Sequence, residues 1–218
     1  TSVHFFPYNF SFHILFVLAT KLITIFATMK KILVVNNYDS FVFNIVQLLR
    51  EIPSAPDFEV MYNDRIVWER LNEFGGIILS PGPGIPAQAG DLLRLIECCK
   101  HSHPLLGICL GHQALAEVFG ASLSNLSGPL HGHSSVLKLL DCKEPLFSGL
   151  TEPLVVGRYH SWVVDRATIP ADLLVSSVDE QGHVMSFHHL TLPVFGLQFH
   201  PESYISCLLY TSDAADDK

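Results

Sequence analysis

The chain has 218 residues, of which 49% are hydrophobic and 16% are charged. This composition supports a sizeable buried core and excludes a disordered protein, since disordered chains are poor in hydrophobic residues. The formal net charge is −8 and the sequence contains no basic run, which argues against a nucleic-acid partner because phosphate backbones are bound by clustered lysines and arginines.

The first half of the chain alternates predicted strands and helices. Continuous apolar runs predict strands buried on both faces, and apolar residues at helical spacing predict helices between them. The strands are predicted at 32–37, 58–62, 76–80 and 104–109, and the helices at 41–52, 66–74, 91–100 and 112–119. This order is typical of an α/β fold with a doubly wound, mixed but mainly parallel sheet, right-handed crossovers and flanking helices.

After Gly120, which is expected to end the last of these helices, the sequence becomes rich in predicted strands. They are predicted at 133–140, 154–164, 172–178, 183–189 and 193–199. We therefore expect a β-rich C-terminal half.

The two ends of the chain differ from its middle. Residues 1–28 form an apolar leader, and we expect the folded domain to start at Met29. A signal peptide or membrane anchor is the alternative interpretation of this leader, because its apolar run approaches the roughly 20 residues of a membrane span. Residues 208–218 turn abruptly polar and acidic, which indicates a non-native or disordered tail. The expected domain covers residues 29–207.

Cysteine usage indicates the cellular compartment. The five cysteines are scattered, odd in number, and show no C-x-x-C or zinc spacing: Cys98, Cys99, Cys109, Cys142 and Cys207. Such a pattern favours free thiols in a reducing compartment, so we predict a cytoplasmic protein.

One cysteine lies where a predicted strand turns into a helix. The segment Gly107–Gly111 reads G-x-C-x-G, the thiol counterpart of the nucleophile elbow G-x-S-x-G. The helix N-terminus that follows Cys109 favours the thiolate, and the N–H of Leu110 is expected to point toward a developing oxyanion. The interpretation without function is a buried cysteine at a strand end.

A catalytic cysteine usually needs an imidazole held by a third group. His200-Pro201-Glu202 directly follows a predicted strand, and proline disfavours helix at the preceding residue. In an extended chain the side chains of His200 and Glu202 lie on the same side, where the carboxylate can orient the ring. An incidental surface ion pair is the alternative interpretation.

No metal or cofactor site is predicted. The histidines at 131, 133, 188 and 189 suggest a metal only by their density, without cysteine or carboxylate spacing. The sequence also has neither a phosphate-binding loop of the G-x-x-x-x-G-K-[ST] type nor a dinucleotide fingerprint.

These motifs together resemble those of a known family. Gly107–Gln113 (GICLGHQ), with His200-Pro201-Glu202 downstream, is similar to the class I (triad) glutamine amidotransferases. Three further segments resemble the glutaminase subunits of anthranilate synthase and 4-amino-4-deoxychorismate synthase: Asn37–Phe41, Ser80–Gly84 and Arg158–Ser161.

The resemblance assigns roles to individual residues. It implies that Cys109 is the nucleophile, His200 the base and Glu202 the orienting acid. It further implies that substrate is bound by the loop Gly82, Pro83 and Gly84, by Gln113, and by the backbone of Ser161 and Trp162. Two departures from the family pattern are visible: Trp162 replaces a leucine often found there, and the family's closing helix after H-P-E-S is replaced by the tail.

The implied function is hydrolysis of L-glutamine, with ammonia delivered to a separate chorismate-binding synthase subunit and with no cofactor, nucleic acid or membrane involved. Three alternatives stay open at this point. They are another class I amidotransferase serving GMP, CTP or carbamoyl phosphate synthesis, a cysteine hydrolase acting on γ-glutamyl peptides, and a truncated non-catalytic fragment.

Overall fold

The computed structural model describes residues 31–52, 55–140, 146–148, 150, 153–203 and 206. The predicted leader, the expected start at Met29 and the predicted tail lie outside these residues, as do Cys142 and Cys207. Their interpretation stays a prediction.

The helices and strands of the described residues follow the expected order. The helices are α1 (Val42–Glu51), α2 (Leu92–Cys99) and α3 (Leu110–Val118), with 3₁₀ turns at Trp68–Glu73, Pro86–Gln88 and Arg166–Thr168. The strands are β1 (Ile32–Asn36), β2 (Phe58–Tyr62), β3 (Gly76–Leu79), β4 (Leu105–Ile108), β5 (Leu123–Leu139), β6 (Leu154–Val164), β7 (Leu173–Val178), β8 (Val184–His189) and β9 (Val194–Leu197). Among the described helices, none is both long and apolar enough to cross a membrane.

The described strands form one mixed sheet in the order β2-β1-β3-β4-β9-β8-β7-β5-β6. Strands β2, β1, β3, β4 and β9 pair in parallel and are called here the parallel half. Strands β8, β7, β5 and β6 continue the sheet with antiparallel pairing and form the antiparallel half. The predicted α/β fold with a mixed sheet and a β-rich C-terminal half is confirmed.

Helices pack on both faces of the parallel half because its strands alternate between two apolar clusters. In β1, Ile32 and Val34 face the cluster that contains α1, whereas Leu33 and Val35 face the cluster that contains α2 and α3. All four side chains are fully buried. Because β1, β3, β4 and β9 run parallel, their carboxyl ends lie at the same edge of the sheet, where the loops that follow them come together.

Strand β5 differs from its prediction. It begins at Leu123, well before the predicted start at residue 133. Gly128 and Pro129 interrupt the strand pattern in the sequence, and the pairing of β5 with β6 is irregular there, with a register shift between Asn125 and Leu130. Glycine and proline are common at such bulges. Because they are also typical of loops, the sequence pattern did not predict the first part of this strand.

Candidate active site

The turn from β4 into α3 holds Cys109 in a strained backbone conformation. Its φ is 51° and its ψ is −102°, a region that residues with a side chain rarely adopt. The N–H of Cys109 donates to the carbonyl oxygen of Leu197 at 2.8 Å, which ties the turn to β9. The cysteine is 4% exposed. The predicted strand–turn–helix context of the G-x-C-x-G motif is present.

The two flanking glycines permit this turn because other backbone lies where a side chain would stand. A Cβ on Gly107 would collide with the carbonyl group of Gly111, and one on Gly111 would collide with the carbonyl oxygen of Leu79. Neither neighbour is a flexible side chain, so neither can move aside at small cost. The spacing of the motif is therefore required by packing.

The structure brings His200 and Glu202 together. Nδ1 of His200 and Oε1 of Glu202 are 2.8 Å apart, and both side chains are buried. The predicted contact is present, but the predicted extended chain is wrong: residues 200–203 form a turn in which the N–H of Ser203 donates to the carbonyl oxygen of His200 at 3.2 Å. A turn, and not an extended strand, therefore places the Glu202 carboxylate beside the His200 ring.

The charge on His200 is set by its neighbours. Burial opposes protonation of the ring, but the negative charges of Glu202 and of the Cys109 thiolate outweigh burial and raise the pKa of His200 well above its usual range. Within the described part of the chain, Nε2 of His200 has no hydrogen-bond partner of standard geometry. That nitrogen is therefore available for proton transfer beside the thiol.

Two aromatic rings enclose the histidine. The ring centroids of Phe41 and Tyr159 lie 4.7 Å and 4.9 Å from that of His200, both edge-on. The Tyr159 hydroxyl is 2.9 Å from the Ser203 hydroxyl, which fastens the same turn. Two segments on which the family resemblance rests, at 37–41 and 158–161, therefore converge on the predicted base.

The loop after β3 lies against the start of α3. A Cβ on Gly82 would collide with the Leu110 side chain and would stand 2.6 Å from Cβ of Asn37. Gly84 has a φ of +73°, which favours glycine. As the first residue of α3, Leu110 has an N–H without a partner inside its own helix. The loop therefore lies against the residue that directly follows the nucleophile, where an oxyanion site is expected.

Asn37, which sequence reasoning used only as part of a motif, holds this loop. Its backbone N–H donates to the Ser80 hydroxyl at 3.0 Å, and its side-chain amide donates to the Ser80 carbonyl at 2.8 Å. Asn63 in turn donates to the side-chain oxygen of Asn37 at 3.0 Å. All three residues are buried. They fix the end of β3 from which Gly82 and Pro83 follow, and Pro83 itself is exposed.

Gln113 lies one turn into α3 and contacts the antiparallel half. Its side-chain NH₂ donates to the Trp162 carbonyl at 2.8 Å and to Oε1 of Gln198 at 3.1 Å. A carbonyl can only accept, so this contact fixes the orientation of the Gln113 amide. Ser161 and Trp162 are half-buried in β6 beside it. Gln198 is fully buried and was not predicted, because the apolar strand before it gives no signal of a polar contact.

The other described cysteines lack such surroundings. Burial, with a smaller contribution from Cys98, raises the pKa of the Cys99 thiol to about 11, and Cys98 is exposed on α2. Nowhere in the described ranges do three His, Cys, Asp or Glu side chains cluster as a metal ion would need. The chemistry available at this edge of the sheet is that of a thiol, an imidazole and a carboxylate in line.

Comparison with known proteins agrees with this geometry. The family model described as "Glutamine amidotransferase class-I" matches residues 33–207. The chain is 37% identical over 177 residues to the aminodeoxychorismate/anthranilate synthase component 2 of Bacillus subtilis. The alignment covers 80% of this chain and 89% of that protein. It is 39% identical over 180 residues to the bifunctional protein TrpGD of Thermotoga maritima, covering 82% of this chain but spanning only 30% of that longer protein.

A solved structure shares the fold. A glutamine amidotransferase from Thermotoga maritima superposes with a TM-score of 0.60 at 20% identity, covering 79% of this chain and 76% of that chain. At that identity the likeness concerns the fold alone.

Proposed function

This chain belongs to the class-I glutamine amidotransferase family, and from that premise we propose that it hydrolyses L-glutamine and delivers the ammonia to a chorismate-using synthase subunit. The observation that carries the proposal is the thiol–imidazole–carboxylate line of Cys109, His200 and Glu202, which lies beside a glycine loop and a helix N-terminus. No cofactor is needed for this chemistry.

The first half of the reaction releases ammonia. The Cys109 thiolate attacks the side-chain carbonyl carbon of glutamine, and the N–H groups of Leu110 and of the Gly82–Gly84 loop stabilise the oxyanion. Imidazolium at His200, held by Glu202, gives its proton to the leaving ammonia. A γ-glutamyl thioester on Cys109 remains.

The second half regenerates the enzyme. His200 is now neutral and accepts a proton from water as the water attacks the thioester carbonyl. The tetrahedral intermediate collapses, glutamate leaves and the Cys109 thiolate is restored beside imidazolium. The raised pKa of His200 supports this cycle because the ring is charged when ammonia must leave.

Gln113 is suited to the α-ammonium end of the substrate. Both hydrogens of its NH₂ group are used by the protein, so the side-chain oxygen is the group that a ligand meets. An amide oxygen accepts, and the ammonium of glutamine donates. Ser161 and Trp162 provide neighbouring backbone groups.

The acceptor reaction is assigned to another chain. Relatives named for anthranilate and aminodeoxychorismate synthesis, together with the segments at 37–41, 80–84 and 158–161, support a chorismate-binding partner. We also propose a cytoplasmic location, which the free thiols of Cys98, Cys99 and Cys109 support.

The test separates the two half-reactions. In the full chain assembled with its synthase subunit, Cys109→Ala should lower glutamine-dependent product formation by roughly 10⁶, as in other enzymes that lose a covalent nucleophile. Added ammonium salt should restore the product, and the product itself identifies the pathway.

A matched control is Cys98→Ala, which changes an exposed thiol on α2 and should leave both activities unchanged. Loss of both activities in Cys109→Ala, with the complex still assembled, would show that Cys109 is not a dedicated glutaminase nucleophile. Unchanged activities would end the proposal.

A further inference from the structure

A buried ion pair lies behind the candidate substrate site. Nη1 of Arg158 on β6 and Oδ2 of Asp179 are 2.5 Å apart, and their side chains are 2% and 0% exposed. Asp179 is itself fixed in the turn after β7, because its Oδ1 accepts the N–H groups of Gln181 and His183 at 2.9 Å and 2.8 Å. Arg158 is the largest fully buried side chain in the described residues.

Arg158 determines which nitrogen of His160 carries the proton. Nε of Arg158 lies 3.0 Å from Nε2 of His160, and a guanidinium only donates, so Nε2 must accept. The hydrogen of the neutral ring is then on Nδ1, which donates to the Trp162 carbonyl at 3.0 Å. Burial and the charge of Arg158 lower the pKa of His160 to about 3, which keeps the ring neutral.

The Trp162 carbonyl thereby accepts two hydrogen bonds, one from His160 and one from Gln113. A carbonyl oxygen has two lone pairs, so both are used and the peptide plane is fixed from two sides. The chain of contacts runs without interruption from Asp179 through Arg158 and His160 to the residue proposed to receive the substrate's amino-acid end.

We propose that Arg158 is a positioning residue for glutamine binding, which acts through His160 to hold the Trp162 carbonyl and, through that carbonyl, Gln113. This inference rests on the proposed function. A buried ion pair is often no more stabilising than apolar side chains of the same volume, so stability alone does not account for this one. Its contacts lead instead to the substrate side of Cys109.

The test compares two electrophiles that react with the same thiol. Iodoacetamide needs only a reactive Cys109, whereas a glutamine analogue with an electrophilic ketone in place of the carboxamide must also be bound. The variant removes both charges of the pair in the full chain, Arg158→Met with Asp179→Asn, and the amide introduced at position 179 retains an oxygen for the two backbone N–H groups. Alkylation rates and the analogue concentration at half-saturation are measured by mass spectrometry on Cys109.

We expect the half-saturating concentration of the analogue to rise about tenfold, as for the loss of one well-placed hydrogen bond, with its limiting rate unchanged. Iodoacetamide labelling should stay within about twofold of wild type, because nothing at the thiol has changed. The matched control is Arg166→Met, an exposed arginine just after β6, which should change neither rate.

Arg158→Lys provides a second variant that keeps the charge beside Asp179. A single ammonium does not reproduce the guanidinium fork, so the contact with His160 is lost and the same rise is expected. Parallel loss of both labelling rates, or no change in either, would overturn the positioning role. Absence of any preference of the wild-type chain for the analogue would overturn the proposed function, and this inference with it.

Discussion

The two halves of the sheet bury different kinds of side chain. In the parallel half, strands β1, β3 and β4 are buried along their whole length, and apart from the glycines and Asn36 at the end of β1 their side chains are apolar and pack against helices on both faces. In the antiparallel half, the buried set includes polar and charged side chains: Arg158, His160, Ser176, Ser177, Asp179 and Ser186.

The difference matches what each half contributes to the site. Close packing in the parallel half holds the Cys109 turn in a backbone conformation that its own sequence disfavours. In the antiparallel half, directional hydrogen bonds from His160 and from Gln113 on α3 hold one peptide group, at Trp162, in a fixed orientation. Packing can hold a backbone in a strained conformation, whereas hydrogen bonds can fix the orientation of a polar group. The two halves of the sheet therefore contribute differently to the site.

The largest effect is expected on breaking the ion pair of the antiparallel half. Arg158→Met alone leaves the buried Asp179 carboxylate without its arginine partner, although Nδ1 of His183 stays 2.8 Å from Oδ2, and should lower the free energy of unfolding by about 3 kcal/mol. Adding Asp179→Asn should recover most of that loss. Urea unfolding of the two variants measures both values, and equal losses in the two would contradict the assignment of the cost to the carboxylate that has lost its arginine partner.

The ion pair of Arg70 with Glu59, a residue of β2 in the parallel half, is the comparison. Hydrogen bonds from Arg70 and Lys31 lower the pKa of Glu59 to about 2, but the Arg70 side chain is 36% exposed. Solvent screens such pairs, so Arg70→Met should change stability far less than Arg158→Met.

The packing of the parallel half is tested by adding one methyl group. In Gly111→Ala the new Cβ meets the Leu79 carbonyl, so the turn must shift, and glutaminase activity should fall by about 10²-fold. The matched substitution Gly128→Ala lies in β5, where nothing stands within 4 Å of the added Cβ. Steady-state rates of the two variants decide the point: similar rates would mean that the turn is not held by packing.

Acid should destabilise both halves through one buried histidine each. Burial lowers the pKa of His112 on α3 to about 3, as burial and Arg158 do for His160. The unfolded chain takes up these protons near pH 6.5 and the folded chain does not, so stability present above pH 6.5 is lost as the pH falls toward 3.

Each histidine contributes a slope of about 1.4 kcal/mol per pH unit over that interval. His112→Leu should remove one of the two contributions while leaving the network around His160 intact. Urea unfolding at several pH values measures the slope, and an unchanged slope would show that His112 does not titrate in this way.

A milder loss than that of the nucleophile is expected at Glu202, where the two halves meet. Glu202→Gln removes the largest of the effects that raise the pKa of His200, so that pKa should fall. The fraction of imidazolium near neutral pH then decreases, and glutaminase activity drops less than in Cys109→Ala. An NMR titration of the ring reports the shift directly. Glu51→Gln, an exposed position on α1, is the control, and an equal shift there would contradict a local effect.

In both halves, how much of the fold the sequence predicts depends on the local pattern. Periodicity placed β1, β2, β3 and β4 to within two residues at each end, because apolar runs and glycine turns are strong signals. It placed β6 without error, yet it missed the first part of β5, where Gly128 and Pro129 break the pattern. Its helix at 66–74 is a 3₁₀ turn at Trp68–Glu73.

The candidate site was predictable where the residues that contact one another belong to one short sequence motif. His200 and Glu202 are only two residues apart in the sequence, and the segment Gly107–Gly111 forms its own turn. Arg158 and Asp179 are charged, and charged residues are ordinarily exposed, so nothing in their types predicts that they pair inside the sheet. Their contact depends on the pairing of β5 with β6 and β7, which only the assembled sheet defines.

The backbone of Cys109 has a consequence for protein engineering. Its φ of 51° and ψ of −102° lie in a region that favours glycine and in which other residues are strained by about 1–3 kcal/mol. A procedure that selects variants for thermostability will therefore favour replacement of residue 109, and with it the loss of the thiol. Libraries built on this fold should hold position 109 constant, because selection for stability and selection for turnover oppose each other there.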